Sequence, residues 1–303
     1  MSETRATDRT VIETEETFTS GKVPCAATVY RPRGVTGATP VVVMAHGLTL
    51  TRRDGIPAFA RRFTATGYSV VAFDYRHWGD SDGQPRGWFS LGRQQRDWRS
   101  AVAFTRQLDG VDPGRVALWG FSMGGGMALA TAAADPQIAA VIAVCPMTDG
   151  LAAWLAPTSA GTALRMVART ARETITRRPV TMPAAGRPGD FAALPAPEAL
   201  PGFELVTAGR AWRNEVSTSW LFPLAAFRPV AAVPRIAAPV LYQIAQHDGM
   251  LPAGAVDKAI ARTPRAEVQR YPMEHFGPFS PEHHSAVATG ASDFLRSVHT
   301  ATD

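Results

Sequence analysis

The chain has 303 residues, of which 46% are hydrophobic, and this is enough to bury a sizeable core in one large domain with an insertion or in two smaller ones. No stretch reaches the roughly 18 consecutive apolar residues that a membrane span needs, which argues against a membrane protein. The formal net charge of +5 is almost all arginine and is spread along the chain, which argues against a nucleic-acid-binding protein.

The N-terminal segment MSETRATDRTVIETEET is polar and lacks the apolar centre of a secretory signal, so we expect a cytoplasmic protein. A disulfide between Cys25 and Cys145 is not expected in that reducing compartment. Cys145 lies in an apolar, strand-like run and is therefore predicted to be a buried thiol. The densest basic stretch, Arg165 to Pro179, has no interleaved aromatic residues and is interpreted as a solvated surface.

The first half of the chain predicts short buried strands that alternate with helices. The segments TVIETEETF and VPCAATVYRP, joined by TSGK, are typical of an antiparallel hairpin. Buried strands follow at PVVVMAHG and YSVVAFD, separated by the helix IPAFARRFTATG, which ends at Gly67. The helix SLGRQQRDWRSAVAFTRQL, the strand DPGRVALWG, the helix SMGGGMALATAAAD and the strand IAAVIAVCP complete this half. Such alternation indicates a mostly parallel sheet.

The alternation stops at about Met147 and resumes after Arg235. Between them the chain is rich in Pro and Ala with scattered Trp and Phe, which predicts a helical insertion or a mobile loop region. The chain then returns to the strand APVLYQIAQHD, the helix AGAVDKAIART, the strand AEVQRYP and the helix PEHHSAVATGASDFLRSV. His283 and His284 in this last helix are expected to face solvent.

A serine stands at a strand-to-helix turn in the segment Gly120-Phe121-Ser122-Met123-Gly124. Its side chain would stand clear of the sheet, and the following helix offers free amides near an oxyanion. Ser122 is therefore the candidate nucleophile, although the same pattern also fits a helix N-cap with glycines used for packing. Gly124 to Gly126 are expected to let the helix pack close to the sheet.

Three further segments support the nucleophile. AHGL ends a buried strand, so the amides of Leu48 and Met123 could converge as an oxyanion hole. Asp248 in QHDGMLP follows a buried strand and His275 in YPMEHFGPF follows another strand, with one βα unit between them, which predicts that they meet at one edge of the sheet. His275 would be the general base for Ser122, and Asp248 would fix its tautomer.

The order Ser, Asp, His at these strand ends resembles the α/β-hydrolase superfamily from about Val11 to Val298, the insertion apart. The chain looks most similar to lid-bearing serine hydrolases related to dienelactone hydrolases and prolyl-peptidase-like esterases. FDYRHWGDSDGQP is similar to their Asp-x-Arg-Gly-x-Gly-x-Ser loop, with His77 in place of the first glycine. The resemblance implies an α/β-hydrolase fold with a mostly parallel sheet, helices on both faces, a core of residues 1–146 and 236–303, and a helical cap of residues 147–235 over Ser122.

The resemblance also implies acyl transfer through a covalent serine ester and then hydrolysis, without cofactor or metal. A small carboxylic ester or lactone is the first expected substrate. A thioesterase or acyltransferase in a biosynthetic pathway, a C–C bond hydrolase, and a non-hydrolytic protein of the same fold remain alternatives. Cap residues Arg210 and Arg213 could meet a substrate carboxylate or lie on the surface. No nucleic-acid or membrane partner is expected, and no oligomeric state is predicted.

Overall fold

The structure, a computed structural model, describes residues 11–155, 160–176, 178, 180–252 and 254–300. For residues 299 and 300 it describes the backbone only. Residues 1–10, which form most of the segment on which the expected cytoplasmic location rests, lie outside the described residues, and so do residues 156–159 of the predicted cap and Arg177 and Pro179 of the basic stretch. None of the helices in these described ranges combines the length and apolar content that crossing a bilayer requires.

The strands of the described chain fall into one large sheet and two short pairs. They are β1 (Val11–Ser20), β2 (Val23–Pro32), β3 (Thr39–Ala45), β4 (Ser69–Phe73), β5 (Val111–Phe121), β6 (Ala140–Val144), β7 (Thr181–Met182), β8 (Ala185–Gly186), β9 (Leu194–Pro195), β10 (Val216–Ser217), β11 (Val240–Ala245) and β12 (Ala266–Tyr271). The large sheet has eight strands in the order β1-β2-β4-β3-β5-β6-β11-β12. All neighbours from β4 to β12 are parallel.

The two N-terminal strands form the predicted hairpin. β1 pairs antiparallel with β2 over their whole length, and β2 continues antiparallel onto β4. The turn uses Gly21 at φ +65°, a backbone conformation that glycine adopts without a Cβ penalty. The central strands β4, β6 and β11 are buried at every residue, as parallel strands covered on both faces must be.

Helices cover both faces of the sheet. They are α1 (Ile56–Ala65), α2 (Leu91–Thr105), α3 (Met123–Ala132), α4 (Gly150–Trp154), α5 (Ala160–Thr176), α6 (Ala199–Thr207), α7 (Leu221–Leu224), α8 (Pro229–Ala232), α9 (Ala255–Ile260) and α10 (His284–Thr300). Residues of α2 and α3 belong to one buried apolar cluster, and residues of α1 and α10 belong to the other. The predicted α/β fold, with a mostly parallel sheet between two helical layers, is therefore confirmed.

The segment between β6 and β11 is packed on the core and contains strands as well as helices. Besides α4 to α8 it holds two two-residue pairs, an antiparallel β7–β10 pair and a parallel β8–β9 pair. Met182 and Trp220 join the apolar cluster on the α2 and α3 face, whereas Phe203 and Val206 join the cluster on the opposite face. The described part of this segment is therefore packed on the core, and it contains short strands besides the predicted helices.

Two smaller expectations are settled by burial. Cys25 and Cys145 are both unpaired and buried, as expected. The prediction that His283 and His284 face solvent is wrong, because both are half-buried. The His284 ring packs edge-on against Phe59, with 4.5 Å between ring centroids.

Candidate active site

Ser122 occupies a sharp turn between β5 and α3. Its φ of 55° and ψ of −119° are a strained combination for a residue with a side chain. The turn is crowded, since a Cβ on Gly120 would overlap the carbonyl of Gly124, and a Cβ on Gly124 would lie 2.5 Å from the carbonyl oxygen of His46. Glycine on each side of Ser122 is thus required by close backbone approach, and the glycines do let α3 pack tightly, as predicted.

His275 lies between the serine and the aspartate. It follows β12, its side chain is almost fully buried, and its Nε2 lies 3.0 Å from Ser122 Oγ. Its Nδ1 lies 2.7 Å from Asp248 Oδ2. The three side chains thus form one continuous hydrogen-bonded chain, although Ser122 and His275 are 153 positions apart in the sequence.

Asp248 is fixed by its own loop. It follows β11, and its Oδ1 accepts hydrogen bonds from the amides of Met250 at 2.9 Å and Leu251 at 3.1 Å. Burial alone would raise the pKa of Asp248, but the charge and hydrogen bond of His275, with these two amides, lower the pKa below its ordinary value. The carboxylate is therefore ionised near neutral pH and oriented towards Nδ1 of His275.

The loop after β3 brings a second backbone donor towards the serine. A Cβ placed on Gly47 would lie only 3.2 Å from the Cβ of Ser122, so the chain passes directly beside the turn. Within the described residues, the amides of Leu48 and Met123 donate to no protein acceptor. The Met123 amide also belongs to the first turn of α3, where the helix dipole favours negative charge. Both amides therefore lack a protein acceptor within the described residues, and both belong to segments that adjoin Ser122.

The surroundings of His275 are apolar and aromatic. Its ring centroid lies 5.0 Å from that of Phe121 and 5.2 Å from that of Phe276. Phe276 in turn packs on α6, where Gly202 leaves room for its ring and Phe203 lies 5.1 Å away. Such a setting limits the access of water to the imidazole and strengthens its hydrogen bonds.

The insertion contacts the loops of this site at residues that local sequence patterns did not single out. Glu198 Oε1 accepts the amide of Gly249, next to Asp248, at 2.8 Å. Trp212 Nε1 donates to Thr49 Oγ1, next to Leu48, at 3.2 Å. These partners are distant in sequence and carry no periodic pattern, so only the tertiary structure shows them.

The two cap arginines do not point free charges at a ligand. Arg210 forms an ion pair with Asp54 at 3.0 Å and donates to the carbonyl of Arg53. Arg213 pairs with Glu215 at 3.0 Å. Each guanidinium therefore already has a protein carboxylate as its partner.

The loop after β4 is held by buried ion pairs. Asp74 accepts the amide of Arg52 at 2.6 Å and also pairs with the Arg52 guanidinium. His77, which stands where the related loops have glycine, adopts φ +71°. The backbone thus keeps the left-handed conformation of a glycine although the residue has a side chain.

One group of metal-type ligands occurs among the described residues. Atoms of Cys145, Asp248 and His275 lie within 4.8 Å of one another. Asp248 and His275 are already hydrogen-bonded to each other, and burial raises the pKa of the Cys145 thiol, which disfavours its thiolate. These residues do not fit a metal centre, and the absence of a cofactor stays a prediction.

A doubly covered, mostly parallel sheet with a serine at a strained strand-to-helix turn defines the chain as an α/β hydrolase. The chain belongs to the hydrolase family described as serine aminopeptidase, S33, whose model matches residues 37–193. It is also 38% identical over 286 residues to the quorum-quenching protein AidA of Acinetobacter baumannii (strain MDR-ZJ06), an alignment that covers 93% of each chain.

Two further proteins are similar to this chain, one in part of its sequence and one in its fold. The thiohydrolase aneE of Aspergillus aculeatus (strain ATCC 16872 / CBS 172.66 / WB 5094) is 39% identical over 110 residues, which cover 36% of this chain and 35% of aneE. The crystal structure of the α/β hydrolase GrgF from Penicillium sp. sh18 superposes with a TM-score of 0.78 at 20% identity, covering 94% of this chain and 98% of GrgF. At 20% identity, the similarity to GrgF shows a shared fold and nothing more.

Proposed function

We propose that the protein is a serine hydrolase that cleaves a carboxylic ester or a lactone through Ser122, His275 and Asp248. The observation that carries the proposal is the unbroken chain of hydrogen bonds, 3.0 Å from serine to imidazole and 2.7 Å from imidazole to carboxylate. A serine hydroxyl alone is a weak nucleophile, and a base within hydrogen-bond reach is what activates it.

In the proposed reaction, Ser122 Oγ attacks the acyl carbon while His275 Nε2 takes the hydroxyl proton. The ionised Asp248 holds Nδ1–H and stabilises the imidazolium that forms. The imidazolium then gives its proton to the leaving alkoxide oxygen, and the acyl group remains on Ser122. A water molecule, deprotonated by the same nitrogen, attacks the ester and releases the acid, which regenerates the serine.

Both halves of this reaction pass through a tetrahedral oxyanion. The amides of Leu48 and Met123 are proposed to donate to it, because both lie beside Ser122 and neither has a protein acceptor among the described residues. Losing one donor of this kind costs about 3–4 kcal/mol of transition-state stabilisation.

Residues 147–235 are proposed to act as the cap of this site. The proposal is supported by the contacts of α6 and its flanks with the loops of all three functional elements: Glu198 with the Asp248 loop, Gly202 with the His275 loop, and Trp212 with the Leu48 loop. The cap would then both exclude water and shape the acyl pocket. The cytoplasmic location stays a prediction.

The substrate class is argued from the relatives together with the site. One relative that spans almost the whole chain is a quorum-quenching protein, so small signal molecules that carry an ester or lactone are the first compounds to assay. The test compares hydrolysis of p-nitrophenyl acyl esters and acyl lactones by the wild type and by Ser122→Ala. We expect turnover by the wild type and a loss of at least about 10³-fold in the variant. Equal rates in the two proteins would refute the proposal.

A thioesterase is the second candidate, since the thiohydrolase aneE shares 39% identity over 110 residues. The same triad and oxyanion donors would serve a thioester, whose thiolate leaves more readily than an alkoxide. Acyl thioesters and an aminoacyl p-nitroanilide belong in the same assay. A kcat/KM for thioesters at least tenfold above that for matched oxygen esters would favour this second candidate.

A further inference from the structure

His46 precedes the oxyanion loop and is almost fully buried, with 2% of its surface exposed. Its Nδ1 lies 2.8 Å from the carbonyl oxygen of Gly47. A carbonyl oxygen can only accept a hydrogen bond, so the proton of this contact must be on Nδ1. Burial lowers the pKa of His46, which keeps the ring neutral and leaves Nε2 without a proton.

The carbonyl that His46 holds belongs to the same peptide unit as the amide of Leu48. In a planar trans peptide the C=O and the N–H point in opposite directions. A donor that fixes the Gly47 carbonyl on one side therefore fixes the direction of the Leu48 N–H on the other. That peptide passes beside Ser122, as the 3.2 Å approach of a Gly47 Cβ to Ser122 Cβ shows.

The imidazole itself is locked in place. Its ring packs edge-on against Tyr75, with 4.6 Å between centroids, and Tyr75 Oη accepts a hydrogen bond from Trp98 Nε1 at 2.9 Å. His46 Nε2 is buried without a hydrogen-bond partner among the described residues. A neutral ring has a single N–H, and in the described part of the chain the Gly47 carbonyl is the one acceptor that the ring contacts, so the proton belongs on Nδ1.

We infer that His46 is a positioning residue that orients the Leu48 amide towards the oxyanion through its Nδ1–H bond to the Gly47 carbonyl. This role rests on the proposed function and deepens it. The residue after the oxyanion peptide is restrained as well, because Thr49 adopts φ +60° and accepts the Trp212 indole N–H from the cap. His46 in the core thus holds the Gly47–Leu48 peptide, and Trp212 of the cap holds the next residue, Thr49.

The test uses two variants of His46 whose side-chain amides place the N–H donor at different positions. His46→Asn puts its side-chain nitrogen near the position of Nδ1, whereas His46→Gln puts it near that of Nε2. We expect His46→Asn to keep kcat within about threefold, and His46→Gln to lower kcat by about 10- to 100-fold with KM nearly unchanged, because the lost interaction acts on the transition state. Active-site concentrations are set by titration with a fluorophosphonate.

A tetrahedral mimic separates orientation from mere packing. A trifluoromethyl ketone that adds Ser122 Oγ places its oxyanion between the two amides, so its inhibition constant should rise in His46→Gln by the same factor as kcat/KM falls. If both variants lose thermal stability equally but keep kcat per titrated site, the ring only fills space and the inference is overturned. His46→Leu, which has no donor, should behave like His46→Gln.

A readout independent of turnover is the tautomer of the ring. In ¹⁵N-labelled wild-type protein, the imidazole signal that disappears in His46→Asn should show a proton on Nδ1 and none on Nε2. A proton on Nε2 would overturn the inference whatever the kinetics. An inert wild-type protein, or an active Ser122→Ala, would instead refute the proposed function and the role of His46 with it, while the tautomer would still show whether the hydrogen bond exists.

Discussion

At the scale of single residues, the site depends on which nitrogen of His275 carries a proton. Asp248 Oδ2 accepts from Nδ1 at 2.7 Å, which leaves the lone pair of Nε2 directed at Ser122 Oγ. The second oxygen of Asp248 is occupied by two amides of its own loop, so the carboxylate cannot rotate away. The hydrogen bond and the charge of Asp248 thus both keep the proton of His275 on Nδ1.

The first prediction concerns this proton. Asp248→Asn keeps the size of the side chain but can present an N–H to Nδ1, which favours the wrong tautomer of His275. We expect kcat to fall by about 10³- to 10⁴-fold at pH 7 with the fold intact. Asp257→Asn, at an exposed aspartate paired with Arg270, is the matched control and should leave kcat unchanged. A kcat above a tenth of the wild-type value in Asp248→Asn would contradict the account.

At the scale of elements, the first helix of the insertion is anchored by a capping aspartate. Asp149 accepts the amides of Leu151 and Ala152 in α4 and pairs with Arg228, which precedes α8. Burial alone would raise the pKa of Asp149, but the Arg228 guanidinium and the helix amides lower the pKa below its ordinary value of 3.8. The ionised Asp149 therefore links α4, at the start of the insertion, to Arg228, near its end.

The second prediction follows from the sign of that shift. A lowered folded-state pKa means that the carboxylate stabilises the fold fully above the unfolded-state pKa and that this stability is lost as pH falls through the folded-state pKa. Asp149→Asn keeps a capping acceptor but no charge. We expect it to lower the free energy of unfolding in urea by about 1 kcal/mol at pH 7, and by clearly less at pH 3. A difference that grows towards pH 3 would contradict the assignment.

The helix α6 connects the insertion to the catalytic loops by close packing. Phe203 stacks on Trp212 with 4.2 Å between ring centroids, and a Cβ on Gly202 would overlap the ring of Phe276. Since Phe276 is the neighbour of His275, packing at α6 and the position of the base are coupled.

The third prediction is that Gly202→Ala both destabilises the protein, by about 1–3 kcal/mol, and lowers kcat, because the ring of Phe276 must shift. Gly161→Ala, at a helical glycine of α5 with no atom within 4 Å of the new Cβ, is the control and should be neutral or slightly stabilising. Thermal unfolding and ester hydrolysis measure the two effects. Wild-type stability and activity in Gly202→Ala would show that α6 does not restrain the His275 loop.

At the scale of the whole molecule, stability does not depend on a covalent cross-link. Cys25 and Cys145 are unpaired and buried in the core, and burial raises the pKa of Cys25 to about 12. Thiolates are the reactive species, so both thiols should resist Ellman's reagent in the native protein and react together in denaturant. The fourth prediction is therefore no fast thiol in buffer, two in guanidinium, and no effect of reductant on the melting temperature. A fast thiol in the native protein would refute it.

The positions of the candidate site residues could be predicted from the sequence, because each of them follows a recognisable strand. Ser122 and Asp248 each follow a buried strand end, and His275 follows the largely exposed edge strand β12, so their meeting at one edge could be predicted from the topology of parallel strands. The insertion could not be predicted in this way. Its two-residue strands are too short for a period of two, and its key contacts join residues far apart, as Trp212 and Thr49 are across 163 positions. The partial burial of His284 could not be predicted locally either, since only the fold places its ring on Phe59.

The central claim is that Ser122 is an activated and accessible nucleophile. The most direct test exposes the wild type, Ser122→Ala and Asp248→Asn to a fluorophosphonate and records intact masses over time. The account predicts one adduct per wild-type chain, mapped to Ser122, no adduct in Ser122→Ala, and slow labelling of Asp248→Asn. No adduct on the folded wild type, or an adduct that persists in Ser122→Ala, would contradict it.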